Sequence, residues 1–247
     1  VRMWSVAIAA AVAVSSVVAA SYVSLGAVAG VTAVLILVCA VGWPHVLGVP
    51  AKKSQSTIIG LSALAATAAA LTVPDSDVMR WMPVATALGL GGVFLIQLFR
   101  GTGQSHRLES TLGAGVGVFL ACLGSGWVAA DRLAVNAGNT GMMLVTGISV
   151  MIALAVSLLP WPDRIVAPLG TVLAAIAGPL GAILFTDVSG LAAGIIGAVS
   201  GAVVVCARRL FLARDTPVNV AAAMSIGVAP ILVIGSLVYF LGKLLTA

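Results

Sequence analysis

Charge is what this sequence has least of. Asp, Glu, Lys and Arg make up 8% of its 247 residues, where a water-soluble domain carries about 25%. A surface that poor in charge excludes an ordinary soluble domain and leaves lipid as the surrounding medium. Aromatic residues are also scarce, at 5%. The short alternating segments and aromatic girdles of a membrane β-barrel are missing too. The seven acids and two histidines all fall outside the middle of the apolar runs, as do the lysines and arginines. Proton relays, ion paths and intramembrane catalytic centres place an ionisable group in the hydrocarbon. Their absence at that depth argues against a proton-coupled transporter and against an intramembrane enzyme. The three cysteines, Cys39, Cys122 and Cys206, show no CxxC spacing and no nearby histidine. Neither a disulfide framework nor a metal site follows from them, and no cofactor is expected.

What is present is apolar and small. Hydrophobic residues reach 61% and the mean hydropathy is +1.21, carried by Ala, Val, Leu, Ile and Gly. Small residues let helix backbones approach one another in a membrane, so the fold class is an all-α polytopic transmembrane helix bundle. A span needs roughly 20 mostly apolar residues. Polar, Gly and Pro punctuation marks nine: 4–23, 26–43, 56–73, 82–99, 111–130, 139–159, 165–186, 189–207 and 218–242. The first twenty residues mimic a signal peptide, with Arg2, an apolar run and Val18-Ala19-Ala20, and are read as the first membrane helix. A tight re-entry near residues 24–26 must separate the first two spans.

The chain reads as a single integral membrane domain, 1–247. Gly42-Trp43-Pro44-His45 closes the second helix and Pro160-Trp161-Pro162-Asp163 the sixth. That similarity predicts a parallel four-plus-four repeat, with halves 1–108 and 109–216 and a final helix in 217–247. With the N-terminus inside, the inner segments hold Arg2, Lys52, Lys53, Arg100, Arg107, Arg164, Arg208, Arg209 and Arg214. The outer ones hold only Arg80, Arg132 and Lys243. Cytoplasmic loops collect Lys and Arg, so the expected placement is N-terminus cytoplasmic and C-terminus outside. The Ala, Val and Gly bias points to a GC-rich bacterial genome and the inner (plasma) membrane. The excess of basic residues is explained by membrane orientation, and no nucleic acid partner is expected. Membrane lipids and another membrane or envelope protein are the expected partners.

Four features carry candidate chemistry. Gly190, Gly194, Gly197 and Gly201 line one face of the eighth helix, a small-xxx-small pattern that predicts close helix packing. Pro179 and Pro230 interrupt the seventh and ninth helices and predict kinks; broken helices in transporters expose backbone to substrate. Asn136 and Asn139, beside Asp131-Arg132, form a candidate polar pocket near the outer start of the sixth helix. Arg208, Arg209, Arg214 and Asp215 lie in the inner loop before the last helix, where guanidinium groups suit a phosphate or a lipid headgroup.

The Arg208-Arg209, four residues, then Arg214-Asp215 spacing resembles the Lys-Arg-x4-Lys-Asp segment of the CDP-diacylglycerol synthase (phosphatidate cytidylyltransferase) family. That segment also precedes the last membrane helix there. The resemblance implies a multi-helix phospholipid enzyme acting on CTP and phosphatidate with divalent metal ions. The family's Gly-Asp and Glu-Ser positions have no counterpart in 197–206. Its His-Gly-Gly and Asp-Arg-x-Asp residues are absent from 216–225. Only Asp215 would remain of the metal-binding acids, so the resemblance implies a relative that has lost catalysis. Two non-catalytic classes stand ahead of it: a subunit or scaffold of a cell-envelope complex, and a permease- or flippase-like carrier for a lipid or other largely neutral substrate.

Overall fold

The computed structural model of the chain describes residues 3–48, 52–74, 78–99, 107–136, 138, 141–212 and 219–246. Among these, ten helical segments follow one another: α1 Met3–Ser21, α2 Leu25–Leu47, α3 Lys52–Thr72, α4 Trp81–Phe99, α5 Arg107–Leu123, α6 Gly126–Asn136, α7 Met142–Ser157, α8 Asp163–Phe185, α9 Gly190–Leu212 and α10 Val220–Thr246. α5 and α6 form one apolar stretch, Leu108–Asn136. Eight stretches are long and apolar enough to cross a membrane, and α7 is a shorter apolar helix. The protein is therefore a polytopic helical bundle, with nine helices among the described residues when α5 and α6 are taken together.

Local chemistry sets the ends. The re-entry between α1 and α2 is a three-residue turn. There Ser24 is extended and its hydroxyl accepts from the amide of Ala27 at 3.1 Å, a standard N-cap. Gly48 closes α2 at φ 68, a left-handed conformation that glycine adopts without steric penalty. The second helix was expected to stop at 43, yet it continues through Trp43, Pro44 and His45. Trp43 is buried and its Nε1–H donates to the carbonyl of Gly113 at 2.8 Å, which ties the extra turn to α5. Trp161, its counterpart in the proposed repeat, is half-exposed between α7 and α8.

The helices alternate in direction, so one end of the bundle collects the C-termini of α2, α4, α7 and α9 with the N-termini of α1, α3, α5, α8 and α10. Lys52, Lys53, Arg164, Arg208 and Arg209 lie at this basic end, and Arg80, Arg132 and Lys243 at the other. α3, α4 and α5 pack as one group, and α7, α8 and α9 as a second. α10 runs between them and touches α1, α2, α5, α6 and α9. In its spanning window 67% of α10 is buried, against 28% for α4 and for α8, so α10 is the spine and the other two face the surroundings.

One expectation is corrected. The fifth helix was read as 111–130, with Asp131 in an outer loop. Instead the stretch breaks at Gly124-Ser125 and resumes to Asn136, which places Asp131 within α6 at 4% exposure. The prolines fall within helices that run on to either side of them. Pro179 lies inside the continuous α8, as does Pro168, and Pro230 inside α10. Each removes one amide donor from the ladder, and the neighbouring turns continue on either side.

Candidate functional site

Arg208 and Arg209 were expected in a loop; they belong to the end of α9. Residues adjacent on a helix point about 100° apart, and the two guanidinium groups meet different surroundings. Arg208 has its side chain 9% exposed, and its Nε–H donates to the carbonyl of Ser157 at 2.8 Å. It also pairs with Asp163 Oδ1, while Arg209, at 52% exposure, pairs with Oδ2 of the same carboxylate. Asp163 opens α8, where the helix dipole favours an acid. Arg208 thus joins the end of α7, the start of α8 and the end of α9. The fork that would grip a phosphate is engaged by the chain's own carboxylate and carbonyl. Arg214 and Asp215 lie outside the described residues.

Of the glycine stripe, Gly197 and Gly201 are buried, Gly194 is half-buried and Gly190 is exposed. A Cβ on Gly197 would collide with the carbonyl of Ala174, and one on Gly178 with that of Ala193. At Gly201 a Cβ would lie 2.7 Å from that of Ala174. Gly194 meets Pro179 at an ordinary 3.4 Å, and Gly190 only reaches it at 4.0 Å. The stripe therefore seats α9 on α8, most tightly at Gly197 and Gly201. Ser149 of α7 points into this crossing, 3.0 Å from where a Gly197 Cβ would be, and its Oγ is buried without a hydrogen-bond partner.

Asn136 is exposed at the last turn of α6, and Asn139 lies outside the described residues, so the expected pocket is not assembled by what is described. Its neighbour Arg132 has a defined role: one Nη1 donates to the carbonyls of Ala70 and Val73, both at 2.8 Å, and of Leu71 at 3.3 Å. Ala70 and Leu71 lie in the last turn of α3, where carbonyls lack intrahelical partners, and Val73 follows its end.

Sequence reading missed the Gly124-Ser125 break. Gly126 lies so close to the backbone of Ser236 that a Cβ would collide with it. Ser236 Oγ–H donates to the carbonyl of Leu123 at 2.6 Å. Trp127, fully buried, donates through Nε1–H to the carbonyl of Ile231 at 2.8 Å. Irregular backbone at membrane depth is tolerated when protein covers it, and here α10 supplies the cover. The visible signal was the Gly-Ser-Gly run at 124–126, which carries no proline. Also unforeseen is an amide cluster near the basic end, where Gln55 and Gln97 each donate to Ser110 Oγ at 3.0 Å. It links α3, α4 and α5 in the hydrocarbon, where interhelical polar bonds are typical of membrane packing.

A hollow of ligand size lies elsewhere. A groove of about 700 Å³ runs between α1, α2 and α10, lined by Ile8, Val12, Val34, Leu35, Val38 and Met224 among others. Gly30 and Ala9 keep it open: a Cβ on Gly30 would meet no atom within 4 Å. That volume falls in the range of small-molecule sites, about 300–1,000 Å³. Its lining is almost wholly aliphatic. Ser16 satisfies its own hydroxyl on the carbonyl of Ala13 at 2.8 Å.

Among the described residues no group of three or more His, Cys, Asp and Glu is placed to hold a metal ion. Compared with family models, curated proteins and solved structures, the chain matched none. The bundle and its lateral groove are therefore the basis on which a function is argued.

Proposed function

We propose that the protein is a carrier for membrane lipid, permease- or flippase-like, in a bacterial inner membrane, with the N-terminus cytoplasmic and the C-terminus outside. The supporting observation is the aliphatic groove between α1, α2 and α10, which opens sideways. A substrate already dissolved in the bilayer enters a site laterally. Its hydrocarbon needs only apolar walls, since lipid tails and aliphatic side chains are equally apolar. The excess of basic residues at one end fits that end in the cytoplasm. Nine passes then carry the C-terminus to the opposite face.

The test is transbilayer movement of fluorescent phospholipid in proteoliposomes, read by quenching of the outer leaflet. The carrier reading expects movement severalfold faster than in protein-free vesicles. Equal rates, together with a stoichiometric protein partner in a gentle-detergent pull-down, would replace it with the subunit reading.

A further inference from the structure

We propose that the α1–α2–α10 groove is a site for an anionic phospholipid bearing a headgroup hydroxyl, with the tail in the groove and the headgroup at His45. This names the ligand of the proposed carrier and rests on that reading.

Length and position set the depth of the groove. The groove lining runs along α1 from Ser5 to Ser16, eleven residues, or about 16 Å at ~1.5 Å per residue. That is roughly half of the ~30 Å hydrocarbon core, the depth of one leaflet. Ser5 lies near the start of α1, Met224 near the start of α10, and Val38 in the second half of α2. The groove thus opens toward the basic end at Ser5 and Met224, and Gly30, Val31 and Val34 of α2 with Ser16 of α1 carry it past the middle of the bundle.

The same α2 face continues beyond the groove. Val34, Val38, Val41 and His45 are spaced four, three and four apart, which keeps them on one side of a helix. Val34 and Val41 are exposed, so that side is open up to the half-buried imidazole. His45 Nδ1 lies 2.9 Å from the carbonyl of Val41. A carbonyl only accepts, so the hydrogen of this bond is on Nδ1, and Nε2 is the ring nitrogen left for another partner. A ring nitrogen about two turns beyond Val38, where the groove lining on α2 ends, suits a lipid hydroxyl. Lys52 and Lys53, exposed four and five residues beyond the Gly48 cap, supply positive charge for the phosphate at the same end. Exposed Trp4, at the start of α1, sits where aromatic residues anchor at the membrane interface.

The probes are phosphatidylglycerol, phosphatidate and phosphatidylcholine with identical diazirine-bearing tails, photolysed with the full chain in nanodiscs and mapped by peptide mass spectrometry. Labelling is expected on α1 and α2 peptides in the order phosphatidylglycerol, phosphatidate, phosphatidylcholine. Gly30→Leu places its side chain in the groove from a position where the Cβ itself meets no atom within 4 Å. It should cut that labelling about tenfold, the loss expected when two buried methylenes are displaced. Gly91→Leu on α4, where a Cβ also meets nothing within 4 Å, should leave it unchanged. His45→Ala should retain tail labelling and lower the phosphatidylglycerol-to-phosphatidate ratio about fivefold, the size of one hydrogen bond. Groove labelling that survives Gly30→Leu overturns the site, and a ratio unchanged in His45→Ala overturns the headgroup assignment. Lipid movement that persists in Gly30→Leu removes the groove while sparing the carrier. Groove labelling without lipid movement does the reverse.

Discussion

Gly178 of α8 and Gly197 of α9 hold reciprocal places in one helix crossing. Each lies against the carbonyl of the residue one turn before the other, Ala193 for Gly178 and Ala174 for Gly197. Such backbone approach is the usual basis of small-residue packing in membranes, where no hydrophobic force drives helices together.

From that geometry, Gly178→Ala and Gly197→Ala should each destabilise the protein by about 1–3 kcal/mol, since backbone must move to admit the methyl group. Gly190→Ala, with nothing nearer than 4.0 Å, should stay within about 0.5 kcal/mol of the wild type. Thermal unfolding in one detergent separates the three. Equal effects would mean that the stripe acts through helix propensity alone.

The two arginines of α9 should differ in the same assay. Arg208→Gln strips a nearly buried charge pair and a bond to the Ser157 carbonyl, for an expected loss of about 1–3 kcal/mol. Arg209→Gln removes a half-exposed partner of the same carboxylate and should cost under about 1 kcal/mol. A double-mutant cycle with Asp163→Asn should show the larger coupling at Arg208.

Trp127→Phe keeps most of the ring volume and deletes the Nε1–H bond to Ile231. That carbonyl remains within the α10 ladder, so the expected loss is only about 1 kcal/mol. Gly235→Ala presses a methyl group to 2.6 Å from the Trp127 ring and should cost more, about 1–3 kcal/mol. A larger effect from Trp127→Phe than from Gly235→Ala would contradict this packing.

Arg132→Met should free the final carbonyls of α3. Hydrogen exchange is expected to accelerate at residues 70–73, because those amides share the last turn that Arg132 holds. The start of α3 should stay protected. Acceleration spread evenly over the helix would show that Arg132 supports the whole bundle and not one helix end.

The sequence by itself determined the medium, the helical class and nearly all the spans. Low charge and runs of Ala, Val and Leu leave the backbone no partner but itself, and a helix satisfies it within one segment. It also marked the glycine face of α9, because a four-three-four spacing lies along one side of any helix. Tertiary structure decided the rest. Which helix covers that face depends on the shape of α8, which no spacing in α9 encodes. The break at Gly124-Ser125 exists because α10 supplies a hydroxyl from Ser236 and room beside its backbone. Prolines, the stronger local signal, sit in helices that continue through them. Arg208 and Asp163, 45 residues apart, could be recognised as partners only once α7, α8 and α9 were packed. The groove consists of space left between α1, α2 and α10, and empty space has no residue to announce it.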